Sequence, residues 1–179
     1  MFSTRFFAPA LAVMAFSMPA NAQVPLGGMV TGNDFDRIVE IASAYGPAER
    51  QSSDEGHWVR AEMDGTIYTI SFHNCDDQDW NCSSVQFRAW WESNGSHTVG
   101  SMNQWNRDRR FSAAYLDARD NATIEFDVNL AGGVTAVNFD DTLQWWREVL
   151  SQFKGMVIEP GYAGQPYTGA PDMPPAVSK

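Results

Sequence analysis

The chain has 179 residues, with 12 Lys+Arg against 22 Asp+Glu and a formal net charge of −10. A surface of that sign repels phosphate backbones and anionic lipid headgroups, which argues against nucleic acid as a partner. Arg5, the apolar run Phe6 to Met18 and the small-residue segment Pro19-Ala20-Asn21-Ala22 read as an export signal over residues 1–22, its apolar part too short for a bilayer span. The expected mature protein therefore begins at Gln23 in the periplasm, keeps 11 Lys+Arg against 22 Asp+Glu, and has no later segment long and apolar enough to cross a membrane.

Asn33 or Asp34 is placed to cap a first helix with Phe35, Ile38, Val39, Ala42 and Tyr45 on one face, and Gly46-Pro47 to end it. A polar stretch follows. Trp58 to Met63 and Thr66 to Phe72 are then two strands joined by Asp64-Gly65, a pair that accepts the positive φ of a type I′ turn. Val85, Phe87, Ala89 and Trp91 alternate with Gln86, Arg88, Trp90 and Glu92 in a third strand. Cys75 and Cys82 lie in the connection between the second and third strands; in an exported chain so close a pair is a disulfide, contributing roughly 2.5 kcal/mol by loop entropy.

A short helix is expected from about Ser101 to Arg110 with Met102, Trp105 and Asn106 inward, then a strand around Ser112 to Asp117. Ile124, Phe126, Val128 and Leu130 alternate with Glu125, Asp127 and Asn129 in the clearest strand of the chain, and Gly132-Gly133 supplies a turn where a side chain would obstruct. Phe139, Leu143, Trp146, Leu150 and Phe153 form the apolar stripe of a last helix, capped by Asn138 and followed by Gly155. The order α-βββ-α-ββ-α predicts an α+β fold, one antiparallel sheet with helices packed on it, over residues 23–160. Residues 161–179, rich in Gly and Pro without periodicity, read as a disordered tail.

The pattern N-x-W-N-x-x-x-R-F over Asn103, Trp105, Asn106, Arg110 and Phe111, then Tyr115-Leu116-Asp117, then a strand ending in Gly132-Gly133-Val134, resembles the YbjN family. That bacterial family is described as sensory transduction regulators. The resemblance implies a fold similar to type III secretion chaperones, and a regulatory role with no reaction attached.

The chemistry read from the residues agrees with a non-enzyme. His57, His73 and His97 have no motif around them, and neither G-x-S-x-G, H-E-x-x-H nor a phosphate-binding glycine loop occurs. No catalytic residue, cofactor or metal site is assigned. Asp77, Asp79 and Asn81 have the alternate spacing of a calcium loop, but Cys82 and Arg88 stand where glycine and glutamate are needed, so a cation or small-ligand sensor built on this acidic loop is the alternative function.

Two roles fit the central motif. Asn103 and Asn106 can satisfy backbone groups while Trp105 anchors its helix, with Phe111, Gly132 and Gly133 as structural parts. Alternatively Trp105, Arg109 and Arg110 border a groove for a protein or peptide partner, or for a second copy of the chain, since Trp and Arg are the usual energetic anchors of interfaces. Trp90 and Arg88, on the sheet face opposite Phe87, would extend that surface.

Overall fold

The computed structural model describes residues 26–159 apart from Glu55 and Asp79; the expected signal and tail lie outside these residues. Six antiparallel strands form the sheet: β2 (Ala48–Ser53), β3 (Gly56–Met63), β4 (Thr66–His73), β5 (Ser84–Trp91), β6 (Ala113–Leu116) and β7 (Ala122–Asn129), in the spatial order β2-β3-β4-β5-β7-β6. A two-stranded ribbon joins β1 (Met29–Val30) to β8 (Val134–Thr135). Helices α1 (Phe35–Ala42), α2 (Val99–Asp108) and α3 (Ala136–Phe153) complete the α+β fold expected from the periodicity.

Alternation decides which face is covered. Val59, Ala61, Tyr68, Ile70, Val85, Phe87, Ala89 and Ile124 are all buried on one face of the sheet, together with Ile38 and Ile41 of α1, Met102 and Trp105 of α2, and Phe139, Leu143, Trp146 and Phe153 of α3. Each large side chain so buried contributes about 1.5–3 kcal/mol of transfer free energy. Phe87 sits at the centre, with Tyr68, Phe126, Phe139 and Trp146 at ring separations of 5.7–6.2 Å. The opposite face of the sheet carries Trp58, Arg60, Thr69, Gln86, Arg88 and Trp90, and among the described residues these stay half-buried or exposed.

Several local expectations hold in detail. Asp64 and Gly65 have φ of 49° and 77°, and the hairpin register runs from Met63↔Thr66 to Trp58↔Ser71. Cys75 and Cys82 form a disulfide across the connection between β4 and β5. Gly132 and Gly133 have φ of 79° and 81°, and a Cβ on Gly133 would come within 3.2 Å of Met29.

Other expectations are corrected. The polar stretch after α1 is an edge strand, β2; it shows no apolar alternation because neither of its faces is deeply buried. Helix α2 starts two residues before Ser101, because Thr98 and Ser101 close a reciprocal capping box, and stops at Asp108, where Arg109 turns extended. Thr135 rather than Asn138 caps α3: its hydroxyl accepts the Asn138 N–H at 3.2 Å, and the helix begins three residues earlier than the apolar stripe suggests. The Asp34 carboxylate does not cap α1 but turns back to accept from the backbone and hydroxyl of Thr31 at 2.8 and 2.7 Å. Nor does Gly155 end the last helix, which passes into a π-helical turn over Lys154–Ile158. Helix α1 ends at Ala42, ahead of Gly46; that glycine is needed because a Cβ there would stand 2.2 Å from the Glu62 carbonyl oxygen.

Candidate functional site

The link from α2 to β6 builds the central motif. Met102 and Trp105 point into the core, with Trp105 only 3% exposed, edge-on to Phe153 at 5.0 Å and donating its indole N–H to the Ser112 hydroxyl at 3.1 Å. Asn106 reaches sideways: its amide accepts from the Ala114 N–H at 2.7 Å and donates to the Ala114 carbonyl at 2.8 Å. Arg109 leaves the helix in extended conformation, its N–H still bonded to the Trp105 carbonyl. Phe111 then takes φ of 66°. Among the described residues the other non-glycines with positive φ are Asp64, Asn74, Asn81 and Asp120, whose short polar side chains tolerate that region. A phenylalanine does not, and such a conformation costs of order 1–3 kcal/mol and persists only where its surroundings impose it.

What the turn achieves is the placement of the Phe111 ring. It packs on Trp145 of α3 at 5.0 Å and on Phe126 at 6.2 Å, yet stays 43% exposed, and Trp145 is 47% exposed. The Arg110 guanidinium covers the Phe111 ring at 4.6 Å. Arg109 lies 5.9 Å from the Trp105 ring, directs one Nη to the Met156 sulfur at 2.9 Å, and keeps its Nε buried without an acceptor. These side chains, with Glu148 and Gln152, line a groove of about 260 Å³ between the link and α3.

The structure therefore divides the predicted interaction residues. Arg109 and Arg110 border the groove beside Phe111, which was expected only as a structural part, whereas Trp105 forms the floor and anchors α2; being buried, Trp105 is not a contact offered to a partner. Trp90 and Arg88 do not extend this surface. They stand on the uncovered face of the sheet, while Phe111 and Trp145 stand on the helical side, because a one-residue step along β5 reverses the face. Asn103 is exposed on α2. Trp145 was not singled out by the sequence, although a tryptophan on the polar side of an otherwise amphipathic helix is a signal that could have found it.

The acidic loop between the cysteines is organised around one carboxylate. Asp76 accepts the backbone N–H of Gln78 at 3.0 Å and of Trp80 at 2.9 Å, and the Asn81 amide at 2.5 Å. The bond from Trp80, then that from Asn81, holds its carboxyl below the usual carboxylate range. Asn33 and Asn81 exchange bonds at 2.8 and 2.5 Å, and the Cys82 carbonyl lies where a Cβ on Gly32 would fall, tying the loop to the start of α1. Asp79 lies outside the described residues, and among those residues no group of three or more His, Cys, Asp or Glu is placed to hold a metal ion.

The fold is of the α+β class, a six-stranded antiparallel sheet with helices packed on it. Residues 34–159 match the YbjN family, whose description reads "Putative bacterial sensory transduction regulator", and the chain belongs to that family. A solved structure titled "Crystal structure of YbjN, a putative transcription regulator from E. coli" is similar at 15% identity, covering 61% of this chain and 84% of that one, with a TM-score of 0.46. No curated protein matches the chain.

Proposed function

We propose that this YbjN-family protein is a non-enzymatic regulatory module of the periplasm that acts by protein–protein contact through the Phe111–Trp145 groove. The supporting observation is the pair of half-exposed rings at 5.0 Å, held by a strained Phe111 backbone and bordered by Arg109 and Arg110. Exposed aromatic surface is costly unless used, and Trp and Arg in a recess are the residue types that anchor interfaces. The Cys75–Cys82 disulfide is compatible with an oxidising compartment, as is the Arg5-to-Ala22 segment with export.

Photo-crosslinking in intact cells tests this, with probes at Phe111 and Trp145 and a control at Asp120. A discrete adduct at both groove positions, absent at Asp120 and lost on Arg110→Ala in a folded chain, is the expected result. An adduct with a second copy alone would make the surface a homodimer interface. No adduct beyond the control removes the groove as a contact site. Recovery of the protein from the cytoplasmic fraction alone would overturn the compartment, and two alkylatable thiols in periplasmic protein would overturn the disulfide.

A further inference from the structure

The chain leaves the described residues beside the Phe111–Trp145 groove. After α3, the π-helical turn over Lys154–Ile158 brings Met156 to Arg109, whose Nη meets the sulfur at 2.9 Å on the groove's border. Glu159 is then extended, with φ of −77° and ψ of 122°, and Pro160-Gly161 follows it. Extended backbone before Pro-Gly suits a type II turn, in which proline fixes φ at the second position and glycine takes positive φ at the third. A turn there reverses the chain and sends it back along α3.

The sequence beyond that point matches the groove in chemistry. Pro171-Asp172-Met173-Pro174 has the P-x-x-P spacing of a polyproline II segment, which docks on aromatic-lined grooves. The groove offers Phe111 and Trp145, rings 5.0 Å apart and both half-exposed. Reach is ample. Residues 160–171 cover about 37 Å at ~3.1 Å per residue, whereas Phe153 and Trp145 are about 12 Å apart along α3. A segment on so short a tether has an effective concentration of order millimolar, so a weak contact suffices.

Charge fixes the register. Of the groove's carboxylates, Asp108 is paired with Arg107 at 2.9 Å and Glu148 accepts the Gln152 amide. Arg110 covers the Phe111 ring but forms no ion pair among the described residues. Asp172 is the one acidic residue in the sequence from 160 to 179. The recess on the other flank of α3, which Glu159 borders, has no ring in its wall, and its Arg147 is already bonded to Asp64. We propose that residues 160–179 fold back over the Phe111–Trp145 groove, with Pro171 and Pro174 on the rings and Asp172 at Arg110. The tail is then a resting cover that a partner must displace, an inference that rests on the groove being the contact surface.

Benzophenone photo-crosslinking of the purified protein, residues 160–179 intact and the probe at Met173, tests the assignment. An adduct of monomer mass is expected, mapped to peptides that carry Phe111 or Trp145. Trp145→Ala in a folded chain lowers its yield about tenfold. Arg110→Asp and Asp172→Arg each lower it about threefold, as for an exposed ion pair, and the two together restore it. Arg147→Ala, in the other recess, leaves it unchanged. The assignment is overturned if the probe joins no groove peptide, joins the Asp64–Arg147 recess instead, or forms adducts only between two chains. In intact cells, Asp172→Arg should raise the partner adduct of a Phe111 probe about threefold; an unchanged yield overturns the tail as a cover. The purified protein needs no partner, so a tail that fails to dock and a groove that captures nothing in cells are told apart.

Discussion

At the scale of single residues, Asn106 does two jobs with one amide. The outward N–H and C=O of Ala114 belong to an edge strand and would otherwise be free to pair with another chain. The Asn106 side chain takes both, at 2.7 and 2.8 Å, and so stands in for the missing strand. Asn106→Ala leaves two partly buried backbone groups unmet and should cost about 1–3 kcal/mol, read as a lower urea midpoint. Asn106→Asp keeps the acceptor for the Ala114 N–H but sets a carboxylate against its carbonyl, and should recover little. A full recovery with aspartate would show that only the accepted bond matters.

The connection between β4 and β5 is held by a covalent bond as well as by hydrogen bonds. The disulfide closes a loop with a sequence separation of 7, and the chain-entropy model assigns it roughly 2.5 kcal/mol. The double substitution Cys75→Ser, Cys82→Ser should therefore lower unfolding stability by about that amount, and a reductant should reproduce the loss in the unchanged protein. Urea titration of both checks it; an unchanged midpoint would mean that the bonds of Asp76 and the Asn33–Asn81 pair hold the loop unaided. The sheet edges are managed differently: β6 by Asn106, and β2 by charge, with Glu49 and Arg50 on a strand whose Arg50 guanidinium covers the Phe35 ring at 4.3 Å.

For the whole molecule, the titrating groups predict a stability plateau with two flanks. Asp64, held down mainly by its bond from Arg147, Asp76 by the Trp80 N–H, and Asp117 by the Asn121 N–H all have depressed carboxyl values. A depressed carboxyl stabilises the fold above its unfolded value, and that contribution is lost as pH falls through the folded one, so the acid flank begins below about pH 4. Tyr115 is the reverse case. Burial first, then its bond to Glu125 at 2.6 Å, push it up to about 12. Its contribution is intact below about pH 10, where the unfolded phenol ionises, and lost as pH rises toward the folded value. Thermal unfolding across pH should show both flanks; Tyr115→Phe should make the alkaline one shallower, with Tyr45 and Tyr68 supplying the rest, and Asp76→Asn should do the same to the acid one, with Asp64 and Asp117 remaining.

Much of the fold was legible because its signals are local. The stripe of α3, the alternation of β5 and β7, the Asp64-Gly65 turn and the cysteine pair each depend on a few neighbouring residues, and each folds as read. Strand β2 was not legible, since a polar edge strand carries no apolar period, and the caps of α2 and α3 shifted because Thr98 and Thr135 lie outside the apolar stripe. The candidate site was legible only in part. Sequence alone marked Arg109, Arg110, Trp90 and Arg88 as unusual, and determined the acidic charge and the α+β class. Only the tertiary structure decided that Trp105 is buried, that Phe111 meets Trp145 from a distant helix, and that Trp90 faces the other way. The physical reason is that periodicity fixes which residues share a face, whereas coverage of a face depends on what the rest of the chain brings to it.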